Sequence, residues 1–362
     1  MTIANKIITT IGPSTASTQQ VKLLRDAGAS SFRINLSHSN EESLDSYIDF
    51  ISKADVLPSI DTQGAQLRVF GHPRKSFYSK GEQILVGFDN SNHLSDFEIV
   101  FNHCEVLDQI AEGDCIKIDF CGLILKVLKI SHESYSFVAE VANDGKVTPN
   151  CSVDIIDKSI KLDAFTSFDL YAIKNSIVKG IESIYVSFTN CGDDIKFLRR
   201  LINEQKPLSF PHDPTIIAKI ESRQGINNLE SILPLVDGIL IDRGDLSREV
   251  SISRIPLATK AILQKCTSYD VPCYVATNVL DSMITSPLPS RAEISDLFNM
   301  YENNVSGIVL AAEVAIGKYP VDCVHVVKYI HSIFSANNDG FLSVLPHSYT
   351  IHNMPQHLAA WL

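Results

Sequence analysis

Short runs of β-branched and apolar residues recur along this chain, and most are followed by a stretch with apolar positions three and four residues apart. The first run covers 6–12 (KIITTIG). The amphipathic stretch after it, Ser17 to Ala27, stops at Gly28, where a helix C-terminus is expected. The second run is 31–37 (SFRINLS), with a helical pattern from Glu41 to Lys53, and the third is 58–64 (PSIDTQG). The alternation then breaks off and resumes near Leu162, with a helix predicted from Ser167 to Lys179 and ended by Gly180. Five further runs follow, at 183–188, 215–221, 238–242, 272–277 and 307–313. Their helical partners are Asp193–Glu204, Gly225–Leu235, Pro256–Tyr269, Arg291–Glu302 and Pro320–Phe334.

Strands that alternate with helices predict a parallel sheet, and eight such units predict that it closes into a (β/α)8 TIM barrel. An open doubly wound sheet is the other arrangement of this kind. It usually opens on a glycine-rich first turn, and Thr10–Ser14 (TIGPS) contains no GxGxxG. The interruption carries short alternating runs at 82–87, 116–119, 123–128 and 135–141, separated by turn residues. It reads as a small inserted β-barrel domain after the third strand. An insertion there leaves the barrel at its catalytic face, so a lid is expected. The predicted domains are 1–69 with 161–340 for the barrel, 70–160 for the β lid, and a C-terminal tail at 341–362.

Composition narrows the picture. Hydrophobic residues make up 45% of the 362 and charged residues 20%, an ordinary globular balance. No stretch approaches the ~20 apolar residues that a membrane span requires. The N-terminal MTIANKIITTIGPS has no secretory-signal order, so a cytoplasmic protein is expected. The eight cysteines show no CxxC or zinc spacing and read as free thiols. A net charge of −11 argues against nucleic acid as a partner, and it means that any phosphate site must be built from a few placed cations.

In such barrels the chemistry sits at the C-terminal ends of the strands. Those ends carry Arg33, Asn35 and Ser37; Asp61, Thr62 and Arg68; Ser187; Lys219 and Glu221; Arg243, Gly244 and Asp245; Thr277; and Glu313. Glu221 and Asp245, acidic residues on neighbouring strands without His or Cys, suit a hard cation such as Mg2+ or Mn2+. Lys219 lies two residues before Glu221 and so shares its face of the strand. It could stabilise an enolate or a transferring phosphoryl group, or simply form a buried pair that closes the barrel end. Asn35, Ser37, Asp61 and Thr62 offer oxygens to a monovalent cation, and ordinary strand-end hydrogen bonding accounts for the same residues. Gly244 to Ser247 open a short helix or form a plain turn.

Taken together, KIITTIGPST (6–15), FRINLSHS (32–39), IDTQGAQLR (60–68), IIAKIES (216–222), DGILIDRGDL (237–246), VATNVLDSMITSPLPSRAE (275–293) and GKYP (317–320) resemble the pyruvate kinase family in content and order. The resemblance implies phosphoryl transfer between phosphoenolpyruvate, or a close analogue, and ADP/ATP, with Mg2+ (or Mn2+) and K+. It puts Lys219 at the transferring phosphoryl group and Arg33 on phosphate. Glu221 and Asp245 hold the divalent metal. The backbone of Gly244 and Asp245, with the Thr277 hydroxyl, takes the substrate carboxylate. Asn35, Ser37, Asp61 and Thr62 match the K+ ligands, Arg68 faces phosphates, and Pro13 and His38 line the nucleotide.

The chain departs from the family pattern at several of these segments. Gln63, Ala65 and Gln66 replace the lysine, proline and glutamate of a DTKGPE-like segment. Asp242 replaces an alanine before RGD, and Ser247 a glycine after it. Ala311–Val314 replaces SGET, Asn190 a basic residue, and Asp119–Gly122 a tighter acidic turn, and a lysine expected near Asn150 is absent. The chain ends where the family's C-terminal α/β domain would begin, so activation by a sugar phosphate is not expected, while a homo-oligomer remains among the expected partners. The same rim also suits a metal-dependent lyase or aldolase working through a pyruvate enolate, or a non-catalytic metabolite-binding homologue. Retention of Lys219, Pro13 and His38 favours the phosphotransferase.

Overall fold

The computed structural model describes residues 6–91, 94–119, 122–205, 212–336, 355 and 357–358. Along the chain, the first elements are β1 (Lys6–Ile11), α1 (Thr18–Ala27), β2 (Ser31–Asn35), α2 (Glu41–Ser52) and β3 (Pro58–Asp61). Eight short strands follow: β4 (Phe77–Tyr78), β5 (Gln83–Phe88), β6 (Ile99–Phe101), β7 (Cys115–Ile118), β8 (Leu123–Ser131), β9 (Ser136–Val141), β10 (Gly145–Lys146) and β11 (Val153–Ile155). Then come α3 (Ser167–Lys179), β12 (Ser183–Val186), α4 (Gly192–Gln205), β13 (Thr215–Ile220), α5 (Arg223–Asn227), α6 (Leu229–Ile232) and β14 (Gly238–Asp242). The last are α7 (Arg243–Glu249), α8 (Ile255–Ser268), β15 (Cys273–Ala276), α9 (Arg291–Glu302), β16 (Gly307–Leu310), α10 (Ala312–Ala315) and α11 (Pro320–Ala336).

Strands β1–β3 and β12–β16 form one closed parallel barrel in the order β1-β16-β15-β14-β13-β12-β3-β2. The expected (β/α)8 barrel is therefore what the chain builds. The strands are buried on both faces and read as near-continuous Ile/Val/Leu runs, as a parallel sheet requires. Their outer faces and the helices share one large apolar cluster, while Ile8, Tyr185, Ile217, Leu240, Tyr274, Ala276 and Val309 fill the barrel interior. Helix ends follow local rules. Ser17, Asn40, Thr166 and Ser290 cap α1, α2, α3 and α9 with side-chain oxygens, and Gly28, at φ 127°, ends α1 in a conformation that favours glycine.

Two departures from the predicted elements have local causes. The helix expected over 225–235 is broken: α5 ends at Asn228, whose side chain donates to the Asn190 carbonyl at 2.8 Å, and Leu233–Leu235, containing Pro234, turns as a 3-10 segment. Several strands also stop earlier than predicted, because the residues after Asn35, Asp61, Ile220 and Ala276 leave the ladder.

The chain divides into two compact units, Met1–Gly64 with Ala164–Leu362, and Ala65–Asp163. The second unit contains a six-stranded sheet, ordered β11-β7-β8-β9-β5-β6, and the small pair β10-β4. The segment after β3 connects the outer strands of that sheet: Arg68 bridges to Ser152 beside β11, and Val69 bridges to Phe101 in β6. The sheet is thereby curled around a core with Tyr78, Phe88, Phe101 and Phe137 at its centre. Phe120 and Cys121, within the acidic-turn departure at Asp119–Gly122, lie outside the described residues, as does most of the 341–362 tail, of which Leu358 is buried with the barrel core. The described cysteines are free, and no helix among the described residues is long and apolar enough to cross a membrane.

Candidate active site

The C-terminal mouth of the barrel buries a charged layer on top of its apolar filling. Lys219, near the end of β13, is 6% exposed, and Arg33 (3%), Asp61 (1%) and Glu221 (1%) surround it. The Lys219 ammonium lies 2.9 Å from Glu221 Oε1, 3.1 Å from Asp61 Oδ1, 3.0 Å from Ser187 Oγ and 3.9 Å from Asp242 Oδ2. Burial alone would lower the lysine pKa, but the surrounding Asp61, Glu221 and Asp242 outweigh it and raise it above the ordinary value. Its ammonium therefore stays charged.

Arg33 projects from β2 into the same layer. Its Nε and Nη2 donate to Thr10 Oγ1 at 3.2 and 2.8 Å, its Nη1 lies 2.8 Å from Asp61 Oδ2, and the guanidinium sits 5.5 Å from the Tyr185 ring centroid. The strand register accounts for this convergence: Arg33 faces Thr10 across β1–β2, and Asn35 faces Asp61 across β2–β3.

Glu221 accepts the Phe188 N–H at 2.7 Å through Oε2. Its Oε1, buried, has no aligned hydrogen bond and only the charge contact with Lys219. Burial pushes the Glu221 pKa up; Lys219 opposes this, and Asp245, Asp242 and Asp61 add to it. Carboxylate oxygens of Glu221, Asp242 and Asp245 all lie within 4.8 Å of one another. Three carboxylates converging beside a buried oxygen with lone pairs to spare fit a hard divalent cation. Asp242 is the member of this cluster that motif reasoning did not count as a ligand. The signal was present, because Asp242 ends a strand beside Arg243-Gly-Asp245.

Thr277 follows β15 with φ +73°, which is rare for a β-branched residue, and Asn278 has φ +55°. Arg243 holds this strained pair. Its Nε and Nη2 donate to the Thr277 carbonyl at 3.2 and 2.8 Å and its Nη2 to the Asn278 carbonyl at 3.2 Å, and its Nη1 pairs with Asp296 at 2.7 Å. The Arg243 charge is thus committed to a backbone turn rather than added to the charged layer. The Thr277 hydroxyl donates to Asp242 Oδ1 at 2.5 Å, and Gly244 N–H donates to the same oxygen at 3.2 Å. A Cβ on Gly244 would come within 2.7 Å of Thr277 Cγ2, so only glycine fits there.

The remaining candidates fall at differing distances from this layer. Asp61 is engaged by Arg33 and Lys219, and Thr62 Oγ1 accepts the Ser187 N–H at 2.9 Å. Asn35 Oδ1 accepts the Ser37 N–H at 2.9 Å, and Ser37 is exposed. The four offer only oxygen donors, the kind a monovalent cation takes. Pro13 and His38 are exposed in short 3-10 turns following β1 and β2. Arg68 belongs to the second unit, where it donates to the Asn150 carbonyl and to Gln66 Oε1. Gln63, at the lost lysine position, donates to the Leu36 carbonyl at 3.0 Å.

Three residues contribute to the frame of the site: Thr10 and Asp169, which the sequence reading did not place there, and Ser187, which it placed at a strand end without a role. Thr10 receives Arg33. Ser187 links Lys219, Asp61 and the Thr62 carbonyl. Asp169, fully buried, accepts the N–H groups of Gln63, Gly64 and Thr166, and desolvation raises its pKa against those bonds. The Thr166-x-x-Asp169 capping box was the one sequence sign of Asp169. Glu313, after β16, is 2% exposed and accepts the Ala311 N–H at 3.1 Å; burial raises its pKa to about 7.

Comparison with known proteins places this arrangement. A family described as "Pyruvate kinase, barrel domain" matches residues 3–324. The chain is similar to the pyruvate kinase of Bacillus licheniformis, with 31% identity over 334 residues, covering 90% of this chain and 56% of that protein. It is 29% identical over 337 residues to the pyruvate kinase of Methanocaldococcus jannaschii, covering 93% and 70% respectively. It is 32% identical over 333 residues to plastidial pyruvate kinase 3 of Arabidopsis thaliana, covering 90% and 57%. The crystal structure of a pyruvate kinase from Cryptosporidium parvum superposes with a TM-score of 0.83 at 26% identity, covering 93% of this chain and 70% of that one. The chain thus spans little more than half the length of the Bacillus and Arabidopsis relatives.

Proposed function

The chain belongs to the pyruvate kinase family, and from that premise we propose that it moves a phosphoryl group between phosphoenolpyruvate, or a close analogue, and ADP/ATP, in the cytoplasm, with Mg2+ or Mn2+ and K+. The observation that carries this reading is the buried Lys219 ammonium, kept charged by Asp61 and Glu221 and aimed into the barrel mouth beside Arg33. Phosphoryl transfer asks a protein mainly for positioning and for positive charge where the phosphoryl oxygens gather it. Lys219 would meet the phosphoryl group in flight, and Arg33 would hold phosphate.

The charge balance of the mouth supports a need for metal. Asp61, Glu221, Asp242 and Asp245 are four acidic groups, facing three cations: Lys219, Arg33 and Arg248, which lies 3.7 Å from Asp245 Oδ1. An anionic acid would be repelled from such a mouth unless a further cation joined it. Glu221 and Asp245 would hold that divalent ion, which would screen the phosphate and polarise the oxygen being released. The Gly244 and Asp245 N–H groups and the Thr277 hydroxyl would take the acid's carboxylate. Asn35, Ser37, Asp61 and Thr62 would hold K+, and Pro13 and His38 would border the nucleotide.

The test is a coupled assay for pyruvate formed from phosphoenolpyruvate and ADP with Mg2+ and K+, on wild type and Lys219→Met. Pyruvate should form only with nucleotide and divalent metal, and the variant should lose on the order of a thousandfold or more in kcat. A folded, Mg2+-binding wild type that makes no pyruvate would remove this reading. Pyruvate released from another acid without nucleotide would assign the site to enolate-forming cleavage instead.

A further inference from the structure

Asp242 ends β14, and its side chain is 14% exposed. One oxygen, Oδ1, receives two hydrogen bonds, from the Thr277 hydroxyl at 2.5 Å and from Gly244 N–H at 3.2 Å. The other, Oδ2, faces the Lys219 ammonium at 3.9 Å. These are a carboxylate's interactions with two neutral donors and a cation. The donors are also two of those assigned above to the carboxylate of the incoming acid.

A hydroxyl and an amide N–H carry one proton each, so a donor given to Asp242 is not available to a ligand. The backbone that carries both donors is held in place. Thr277 is fixed at φ +73° with its carbonyl held by Arg243, and Gly244 lies too close to Thr277 Cγ2 to admit even a Cβ. A ligand carboxylate brought to the same donors would also meet the negative charge of Asp242 at contact distance, and like charges so placed repel.

We infer that Asp242 is a tethered competitor of the substrate: its own carboxylate occupies donors that the acid must use, and it sets how tightly the acid binds. The inference rests on the proposed function, since it takes the Gly244 and Thr277 donors as the acid's carboxylate subsite. It deepens that reading by adding an internal brake. Acid binding then requires Asp242 to rotate away, so affinity is weaker than the donor set alone would give. Every acid that uses these donors must displace Asp242, so the penalty is common to phosphorylated and unphosphorylated acids.

The test is calorimetric titration of the full chain with phosphoenolpyruvate and, separately, with pyruvate at fixed Mg2+, comparing wild type, Asp242→Ala and Asp242→Asn. The alanine variant should bind both acids more tightly, by about tenfold or more, the factor that ~1.4 kcal/mol represents. The factor should be the same for the two acids, because both displace the same carboxylate. The asparagine variant keeps an oxygen acceptor for Thr277 and Gly244 but loses the charge, so its gain should be smaller. It also keeps the test alive if the alanine variant unfolds, which thermal melting would show. Equal or weaker acid binding in both variants, with wild type binding phosphoenolpyruvate, overturns the competitor role while leaving the proposed function standing. If that loss comes with weaker Mg2+ binding, Asp242 is a metal ligand. Failure of wild type and variants alike to bind either acid, with Mg2+ bound, overturns the proposed function and this inference with it.

Discussion

The barrel mouth and the core of the inserted unit are buried to the same degree and built from opposite chemistry. In the mouth, Arg33, Asp61, Lys219 and Glu221 are all at or below 6% exposure, and each needs a charged or hydrogen-bonding partner in place. In the insert, Phe88, Phe101 and Phe137 pack with ring centroids 6.0–6.4 Å apart and need only shape. Burying charge is costly without partners, whereas burying rings is favourable in itself. The insert's core therefore explains its own presence by stability. The mouth does not, and what it lacks in stabilising power has to be accounted for by chemistry.

Perturbing each region should keep the two apart. Lys219→Met leaves Glu221 without its cation and Asp61 with Arg33 alone, so beyond the loss of turnover proposed above it should cost about 3–5 kcal/mol in denaturant unfolding. A variant that kept both activity and stability would show that the mouth is no different from ordinary core. Phe137→Ala should cost a comparable ~3–5 kcal/mol, but as a cavity, with amide protection lost across β5, β8 and β9 and retained in the barrel strands. Loss of protection in both units together would break the comparison.

Glu313 allows a sharper check, because it is a buried carboxylate of the barrel that forms no salt bridge with a cation among the described residues. Its folded pKa of about 7 lies above the unfolded value of 4.5. Between those values the folded state holds a proton that the unfolded state has released. Stability from this group is therefore full below pH 4.5 and lost as pH rises through 7. Relative to wild type, Glu313→Gln should gain with rising pH, by up to about 3 kcal/mol between pH 4.5 and 8. A pH-independent difference would refute the assigned cause. The smallest expected effect is Thr166→Ala, which removes the α3 cap at about 1 kcal/mol and loosens Asp169 where it holds Gln63 and Gly64. Thermal melting should detect it without any change confined to the insert.

How much of this was legible beforehand follows from range. The eight strand–helix units could be read because each rests on local apolar periodicity and on punctuation such as Gly28 and Gly180. The Lys219–Glu221 pair was legible because residues two apart on a strand share a face. The break at Asn228 was not, since it depends on a hydrogen bond to Asn190, distant in sequence. Nor could the Asp242–Thr277 contact be foreseen. The β14–β15 register puts Asp242 opposite Ala276, but it is the left-handed turn at Thr277, unusual for a β-branched residue, that brings the hydroxyl back onto the carboxylate. Thr10 joined the site, and Ser187, already placed at a strand end, found its partners, through side-chain contacts across neighbouring strands, which apolar patterning does not encode.

The zipped ends of the insert bear on how the molecule is assembled in time. Leu67 accepts from Val153 N–H at 3.0 Å and Val69 donates to the Cys151 carbonyl at 3.0 Å, so the unit begins and finishes on adjacent antiparallel backbone. Once it has folded, the barrel chain that must reconnect β3 to α3 no longer spans a floppy excursion but a clasped one. A free loop of that length would carry a closure entropy on the order of 4 kcal/mol. An insert that ties its own ends relieves the barrel of most of that burden, which favours an order of events in which the small unit forms early and the barrel closes around a gap already bridged.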